Sequence, residues 1–228
     1  MPHHIQLRKP ETVDLSPFTR HDGDHPTTQS GRLTAAHALV EALHTLGFVK
    51  IKGHGLTNQE VQEAFSWTKR LFDLPTTEKM KAPHPPGNMP HRGYSGLGQE
   101  KVYSPDDVQS LGDDTKAAQE LRKVMDFKES YEIGSEHDDQ QQNIWLPDDV
   151  LPQFRTYMTS LYERLDKVVV MILEAISLGL GLDAEAHATL VQLHSSHHCQ
   201  LRLLHYPAFG KEKLQTVFAR LPAHTDWG

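Results

Sequence analysis

Residues 201–207, Leu-Arg-Leu-Leu-His-Tyr-Pro, and residues 223–228, Ala-His-Thr-Asp-Trp-Gly, decide the fold and the chemistry of this chain. The first segment lies in an apolar run that predicts a buried strand over 199–206. In the second segment, His224 and Asp226 are two residues apart, and on a strand such residues point to the same face. An imidazole and a carboxylate on one face are two of the three ligands in a facial triad that holds non-haem Fe(II). A His-x-Asp pair is a weak signal by itself, because it also arises by chance.

Upstream of these segments, the sequence predicts helices first and the densest strands last. Apolar residues recur at three- and four-residue steps over 33–46 and 151–176, which predicts two amphipathic helices. The sequence Thr57-Asn58-Gln59-Glu60 has the form of a capping box and predicts the start of a further helix. The buried side of that helix is predicted to carry Val61, Phe65, Thr68 and Phe72. Short strands are predicted over 13–15, 48–52 and 128–133, the last with alternating side chains, and residues 92–96 are predicted to be either a strand or a glycine-flexible loop. This order favours an α+β fold rather than repeated βαβ units.

Composition and charge exclude several classes of protein. The chain has 228 residues, 37% of them hydrophobic, and a net charge of −7 with no basic stripe, so we expect no nucleic-acid partner. The most apolar stretch, residues 168–182, contains Glu174 and is shorter than the roughly 18 residues of a membrane span. The N-terminus has no apolar signal segment, and Cys199 is the single cysteine. We therefore expect a soluble, cytoplasmic protein without a membrane partner.

Six segments, in order along the chain, resemble those of the isopenicillin-N-synthase-like, Fe(II)- and 2-oxoglutarate-dependent dioxygenases. Each keeps the residues that are typical of its counterpart in that family. The segments are 47–55 (GFVKIKGHG, similar to GFF…NHG), 71–81 (LFDLPTTEKMK, similar to FF-LP-EEK), 92–94 (RGY), 128–134 (KESYEIG, similar to KE-(F/Y)-IG), 201–207 (LRLLHYP, similar to LRL-HYP) and 224–226 (HTD). Because the order is preserved over most of the chain, we identify the sequence as a member of this family.

The resemblance implies a fold with a helical N-terminal region and the first strands of a double-stranded β-helix, or jelly roll, truncated at the C-terminus. It places the N-terminal region of the dioxygenase at residues 1–134. Residues 135–228 then hold the long helix and the incomplete start of the jelly-roll domain.

The same resemblance implies the site. His224 and Asp226 match the first histidine and the carboxylate that bind Fe(II), and Tyr206 matches a tyrosine that hydrogen-bonds the carboxylates of 2-oxoglutarate. Arg92 and Tyr94 match positions that contact substrate in some members, and no catalytic residue is implied beyond the metal ligands. The implied reaction uses 2-oxoglutarate and O2, with ascorbate as a reductant, and yields succinate and CO2. The implied partner is a small-molecule substrate, with a monomer for the full-length protein.

The chain departs from the family pattern at its end, because the second histidine ligand and the Arg-x-Ser pair come later in the family than the position of Gly228. Three functions therefore stay open. The first is a dioxygenase acting on a small molecule, with secondary metabolism as the setting. The second is a non-catalytic, truncated paralogue that serves as a binding module. The third is an oxidase of the same family that works without 2-oxoglutarate.

We expect the 228-residue chain by itself to be inactive and prone to aggregation. Two of three metal ligands bind Fe(II) weakly, and strands that lack their neighbours expose edges and apolar faces. The measurement is an Fe(II) titration of this chain combined with an assay for succinate. Micromolar affinity together with succinate formation would contradict the expectation.

Overall fold

The computed structural model describes residues 9–19, 29–86, 91–99, 109–112, 115–116, 118–119, 125–194, 199–208 and 218–219. The principal helices within these residues are α1 (Ser16–Thr19), α2 (Gln29–Leu46), α3 (Asn58–Phe72), α4 (Thr76–Lys79), α5 (Phe154–Leu180) and α6 (Ala184–His194). The strands are β1 (Thr12–Asp14), β2 (Lys50–Lys52), β3 (Gly93–Ser95), β4 (Met125–Asp126), β5 (Glu129–Gly134), β6 (Gln200–His205) and β7 (Phe218–Ala219). Helices and sheets are mixed, as the sequence predicts.

The chain forms two compact units, and the first combines Met1–Phe65 with Thr159–Cys199. In this unit β1 pairs in parallel with β2. Because α1 and α2 lie between these two strands, they form one βαβ unit, which the sequence does not predict. Apolar side chains from β1, α2 and α5 make the core beneath it. The buried members of this cluster are Val13, Leu15, Leu39, Ala42, Met171 and Ala175.

The predicted helix boundaries agree with the structure wherever a local hydrogen bond sets them. The backbone N–H of Thr57 donates to Glu60 Oε2 at 2.8 Å, and the N–H of Glu60 donates to Thr57 Oγ1 at 3.2 Å, so both halves of the capping box exist. At the start of α6, Asp183 Oδ1 accepts from the backbone N–H groups of Glu185 and Ala186. Such bonds satisfy amide groups that a helix start leaves without an internal partner.

The prediction that Phe65 lies on the buried side of α3 is wrong, because its side chain is 72% exposed. The more buried positions of the helix are centred on Ala64 and Leu71. At about 100° per residue, Phe65 lies well to one side of that centre. Spacing of three and four residues alone does not fix the centre of a helix face.

The second unit combines Ser66–Met158 with Gln200–Gly228 and contains a sheet in the order β3-β5-β6. Both pairs are antiparallel, with Tyr94 opposite Tyr131 and Tyr131 opposite Leu203. All six residues of β5 are buried, whereas the sequence predicts alternation. The prediction of a buried β6 is also wrong, since Leu203 is its one fully buried residue. Within the described residues β6 has one strand neighbour, β5.

Among the described residues, none of the helices combines the length and the apolar content that crossing a membrane requires.

Gly179, in the last turn of α5, allows close contact with α2. A Cβ atom at this position would lie 2.5 Å from the Ala36 carbonyl oxygen and 2.7 Å from Val40 Cγ2. We expect Gly179→Ala to lower the free energy of unfolding by about 1–3 kcal/mol, as overpacking does. The sign of this change in the free energy of unfolding is informative, because helix propensity alone favours alanine over glycine by about 1 kcal/mol.

Urea denaturation followed by circular dichroism measures this effect. The control is Gly96→Ala, where the nearest atom outside the neighbouring residues would be 3.6 Å away in the Gln99 side chain. Unchanged or increased stability of Gly179→Ala would mean that α2 and α5 do not require a glycine at this contact.

Candidate functional site

A single buried carboxylate connects four elements of the second unit. Glu129, the first residue of β5, is 5% exposed. Its Oε2 accepts hydrogen bonds from Lys79 Nζ of α4 and from the Tyr94 hydroxyl of β3, both at 2.6 Å. Its Oε1 lies 2.7 Å from His205 Nδ1, at the end of β6. Lys79 Nζ also donates to the Phe72 carbonyl oxygen at 3.1 Å. We call Lys79, Tyr94, Glu129 and His205 the Glu129 network.

The network changes the ionisation of its members in directions that its geometry explains. Burial on its own raises the pKa of Glu129, but the hydrogen bonds from Lys79, Tyr94 and His205 and the charge of Lys79 outweigh it, so that the pKa is lowered. Burial, followed by the hydrogen bond to Glu129 and its charge, raises the pKa of the Tyr94 phenol. Near neutral pH the network therefore contains an ionised carboxylate and a protonated phenol.

Strand alternation gives the sheet two faces, of which the odd-numbered one carries Glu129 and His205 together with apolar side chains. Side chains of odd-numbered residues in β5 and β6 include Tyr131, which packs edge-on against Phe154 with 5.5 Å between ring centroids. The even-numbered face carries Ser130 and Glu132, both buried, opposite Leu204 and Arg202. On that face, Glu132 Oε1 accepts from the Ser130 hydroxyl at 2.8 Å and pairs with Arg202 Nε at 3.0 Å.

Tyr206, predicted to bind 2-oxoglutarate, directly follows β6 and is partly buried. Its role in binding 2-oxoglutarate stays a prediction.

Arg92 and Tyr94, predicted to contact substrate, both have structural partners. Arg92 is 1% exposed and donates from Nη2 to Asp138 Oδ2 at 2.9 Å and from Nε to the Gln141 carbonyl oxygen at 3.1 Å. Its guanidinium occupies the space beside Gly134, where a Cβ atom would come within 1.9 Å of Nη2. Tyr94 belongs to the Glu129 network. For both residues contact with a substrate stays a prediction.

The predicted metal ligands, His224 and Asp226, lie outside the described residues. Within the part of the chain that the structure describes, no group of three or more His, Cys, Asp or Glu side chains is arranged to hold a metal ion.

The sequence of the chain matches a known protein family. A family model described as the N-terminal region of the non-haem dioxygenase in morphine synthesis matches residues 11–153, more than half of the chain. The chain belongs to the non-haem dioxygenase family. The family recognised from the sequence segments is thereby confirmed, and the match includes Lys79, Arg92, Tyr94 and Glu129.

Fungal relatives of this dioxygenase chain carry names that specify co-substrate and metal. It is 35% identical over 97% of its length to the 2-oxoglutarate-Fe(II) type oxidoreductase ppzD of Metarhizium rileyi, covering 58% of that protein. It is 37% identical over 83% of its length to the proline hydroxylase buaE of Petromyces alliaceus, covering 54% of it. The chain thus spans somewhat more than half the length of these curated relatives.

Solved structures share the fold of the chain. A full-length Neurospora crassa protein in complex with alpha-KG aligns with a TM-score of 0.72 and 27% identity, over 95% of this chain and 61% of that one. A second crystal structure of it, with alpha-KG and thymine, aligns with the same TM-score. The mixed helix-and-sheet fold of the chain is therefore similar to that of 2-oxoglutarate-Fe(II) oxygenases.

Sequence reasoning missed the Glu129 network as a unit, although its members lie in the segments that carry the family resemblance. Lys79, Tyr94, Glu129 and His205 each come from a different one of these segments. A lysine and a glutamate in separate segments contain no signal that they pair. The signal that was available is the occurrence of a charged residue at the start of a strand that is otherwise buried.

We expect Glu129→Gln to lower the free energy of unfolding by about 3–5 kcal/mol, because it leaves the Lys79 ammonium buried without its carboxylate. Chemical denaturation at neutral pH measures the effect. The control is Glu78→Gln, whose partner Lys81 is partly exposed, and here the expected change is about 0–1 kcal/mol. Equal effects at the two positions would contradict the role of the network.

The pH dependence of the same variant has a defined sign. Because the pKa of Glu129 is lowered from its ordinary value of 4.5, its contribution is fully present above pH 4.5 and is lost as the pH falls through the folded-state pKa. The stability difference between wild type and Glu129→Gln should therefore shrink on acidification below pH 4.5. A difference that is constant with pH would mean that the carboxylate is not ionised in the folded protein.

Proposed function

We propose that the protein is a non-haem Fe(II)- and 2-oxoglutarate-dependent dioxygenase that oxidises a small molecule. The observation that carries the proposal is the family match over residues 11–153. The names of the fungal relatives support the choice of Fe(II) and 2-oxoglutarate.

The fold proposed for the complete catalytic domain is a double-stranded β-helix, to which the sheet β3-β5-β6 contributes. We propose an N-terminal dioxygenase region over 1–134 and the start of the jelly-roll domain over 135–228. The relatives, of which the chain covers 54–63%, support a continuation that holds the remaining ligands.

The chemistry of the described side chains suits a dianionic co-substrate. Tyr206 would donate its hydroxyl hydrogen to a carboxylate of 2-oxoglutarate and fix the orientation of that group. His224 and Asp226 would hold Fe(II). When bound, the metal and 2-oxoglutarate supply the oxidative decarboxylation that activates O2, and the protein orients the reactants and excludes water.

We propose a small-molecule metabolite as the substrate, in keeping with the proline hydroxylase among the relatives and the thymine complex of the Neurospora crassa protein. L-Proline and thymine are thus the first compounds to assay. Secondary metabolism is the proposed setting, because the relatives are fungal 2-oxoglutarate-dependent oxidoreductases.

The test is an assay of the protein expressed from its complete gene, with Fe(II), 2-oxoglutarate and O2. We expect release of succinate, and Tyr206→Phe should raise the KM for 2-oxoglutarate about tenfold or more, because a hydrogen bond to a charged group contributes roughly 1.5–3 kcal/mol.

The matched control is Tyr162→Phe, which removes a hydroxyl that donates to the Cys199 carbonyl oxygen and should leave this KM unchanged. Absence of succinate under these conditions would exclude the proposed reaction. Substrate oxidation without consumption of 2-oxoglutarate would instead identify the oxidase, and absence of both activities would favour a binding module.

A further inference from the structure

The two oxygen atoms of the Glu129 carboxylate bind different parts of the second unit. Oε2 accepts from Lys79 and Tyr94, which belong to α4 and β3. Oε1 lies 2.7 Å from Nδ1 of the His205 ring of β6. One oxygen of the carboxylate is therefore bonded to the buried elements α4 and β3, and the other is bonded to the end of β6.

The contact at Oε1 fixes the state of the His205 ring. An ionised carboxylate can only accept a hydrogen bond, so Nδ1 must carry the hydrogen and donate it. The ring also packs beside Phe72, with 5.4 Å between the ring centroids. In the register of the sheet, Glu129 and His205 are direct cross-strand partners. A cross-strand hydrogen bond and a ring contact together restrict the rotamer of this side chain and the backbone that carries it.

His205 is the last residue of β6, and Tyr206 is the next residue along the chain. The last residues of a strand are held less firmly than its centre, since fewer ladder bonds lie beyond them. Anchoring His205 to a buried carboxylate therefore limits the motion of Tyr206, whose hydroxyl must meet a ligand within a few tenths of an ångström.

We propose that His205, held by Glu129, is a positioning residue for 2-oxoglutarate, which acts by fixing Tyr206 in its binding orientation. This inference rests on the proposed function. It separates the roles of the two carboxylate oxygens, since the bond at Oε1 serves ligand binding and the bonds at Oε2 serve stability.

Energetics support the separation. A buried ion pair contributes little stability compared with apolar side chains of similar volume, so stability alone gives little reason for a charged group at Glu129. Lys79 neutralises the carboxylate from within the scaffold, with its side chain only 6% exposed. The side chain of His205, by contrast, is 44% exposed.

The experiment measures the Kd of 2-oxoglutarate by isothermal titration calorimetry on the Fe(II)-loaded protein, expressed from its complete gene and kept under nitrogen so that no turnover occurs. The melting temperature is recorded for every variant, and binding is measured where all are folded. The variants are His205→Phe, which keeps a ring and removes the donor, His205→Gln, whose amide can donate to Glu129, and Lys79→Met, which acts on the opposite oxygen.

We expect His205→Phe to weaken 2-oxoglutarate binding about tenfold, within the 10–100-fold range typical for loss of a group that orients a ligand-binding residue. His205→Gln should recover most of this loss. Lys79→Met should lower the melting temperature while its Kd stays within about twofold of wild type, because Tyr206 keeps its anchor. If His205→Phe does not fold, the Kd of His205→Leu is measured instead, and the same weakening of 2-oxoglutarate binding is expected.

A Kd for His205→Phe equal to that of wild type would overturn the proposal, as would equal weakening in Lys79→Met or no recovery in His205→Gln. Those results would make the Glu129 network a scaffold only. Failure of the proposed function is distinguishable, because then the wild-type protein itself would not bind 2-oxoglutarate.

Discussion

The carboxylate of Glu129 sets the main physical constraint on the second unit. An ionised group removed from water costs several kcal/mol unless it is paired and hydrogen-bonded. Here the compensating partners come from α4, β3 and β6, so none of these elements can shift without leaving a buried charge poorly solvated. The position of the helix end that carries Lys79 and the pairing of three strands therefore depend on one another.

A second buried ion pair repeats this logic in the loop after β5. Arg92 reaches Asp138, and the same aspartate accepts from the backbone N–H groups of Gln140 and Gln141 through its other oxygen. Gly134 leaves the space that the guanidinium fills. The two pairs tie α4 to β5 and the segment before β3 to the segment after β5.

This arrangement explains why the resemblance to the family extends well beyond the two predicted metal ligands. Four of the segments that resemble the family each supply one member of the Glu129 network, and Arg92 adds the buried pair with Asp138. The residues that carry the resemblance in these segments are therefore largely the ones that position the strands of the sheet. The reactive groups occupy a small part of the pattern, whereas the groups that place the strands occupy most of it.

The sequence by itself determined features that depend on neighbours within one helical turn, such as the capping box at Thr57 and the presence of the helices α2 and α5. These contacts form wherever the local chain becomes helical, so their pattern is readable without a fold. The tertiary structure alone decided the exposure of Phe65, the partners of Tyr94 and the pairing of Glu129 with Lys79 and His205, which are 50 and 76 residues away in the chain. Residues so distant have no local signal of contact, because burial and register bring them together only once the sheet has formed.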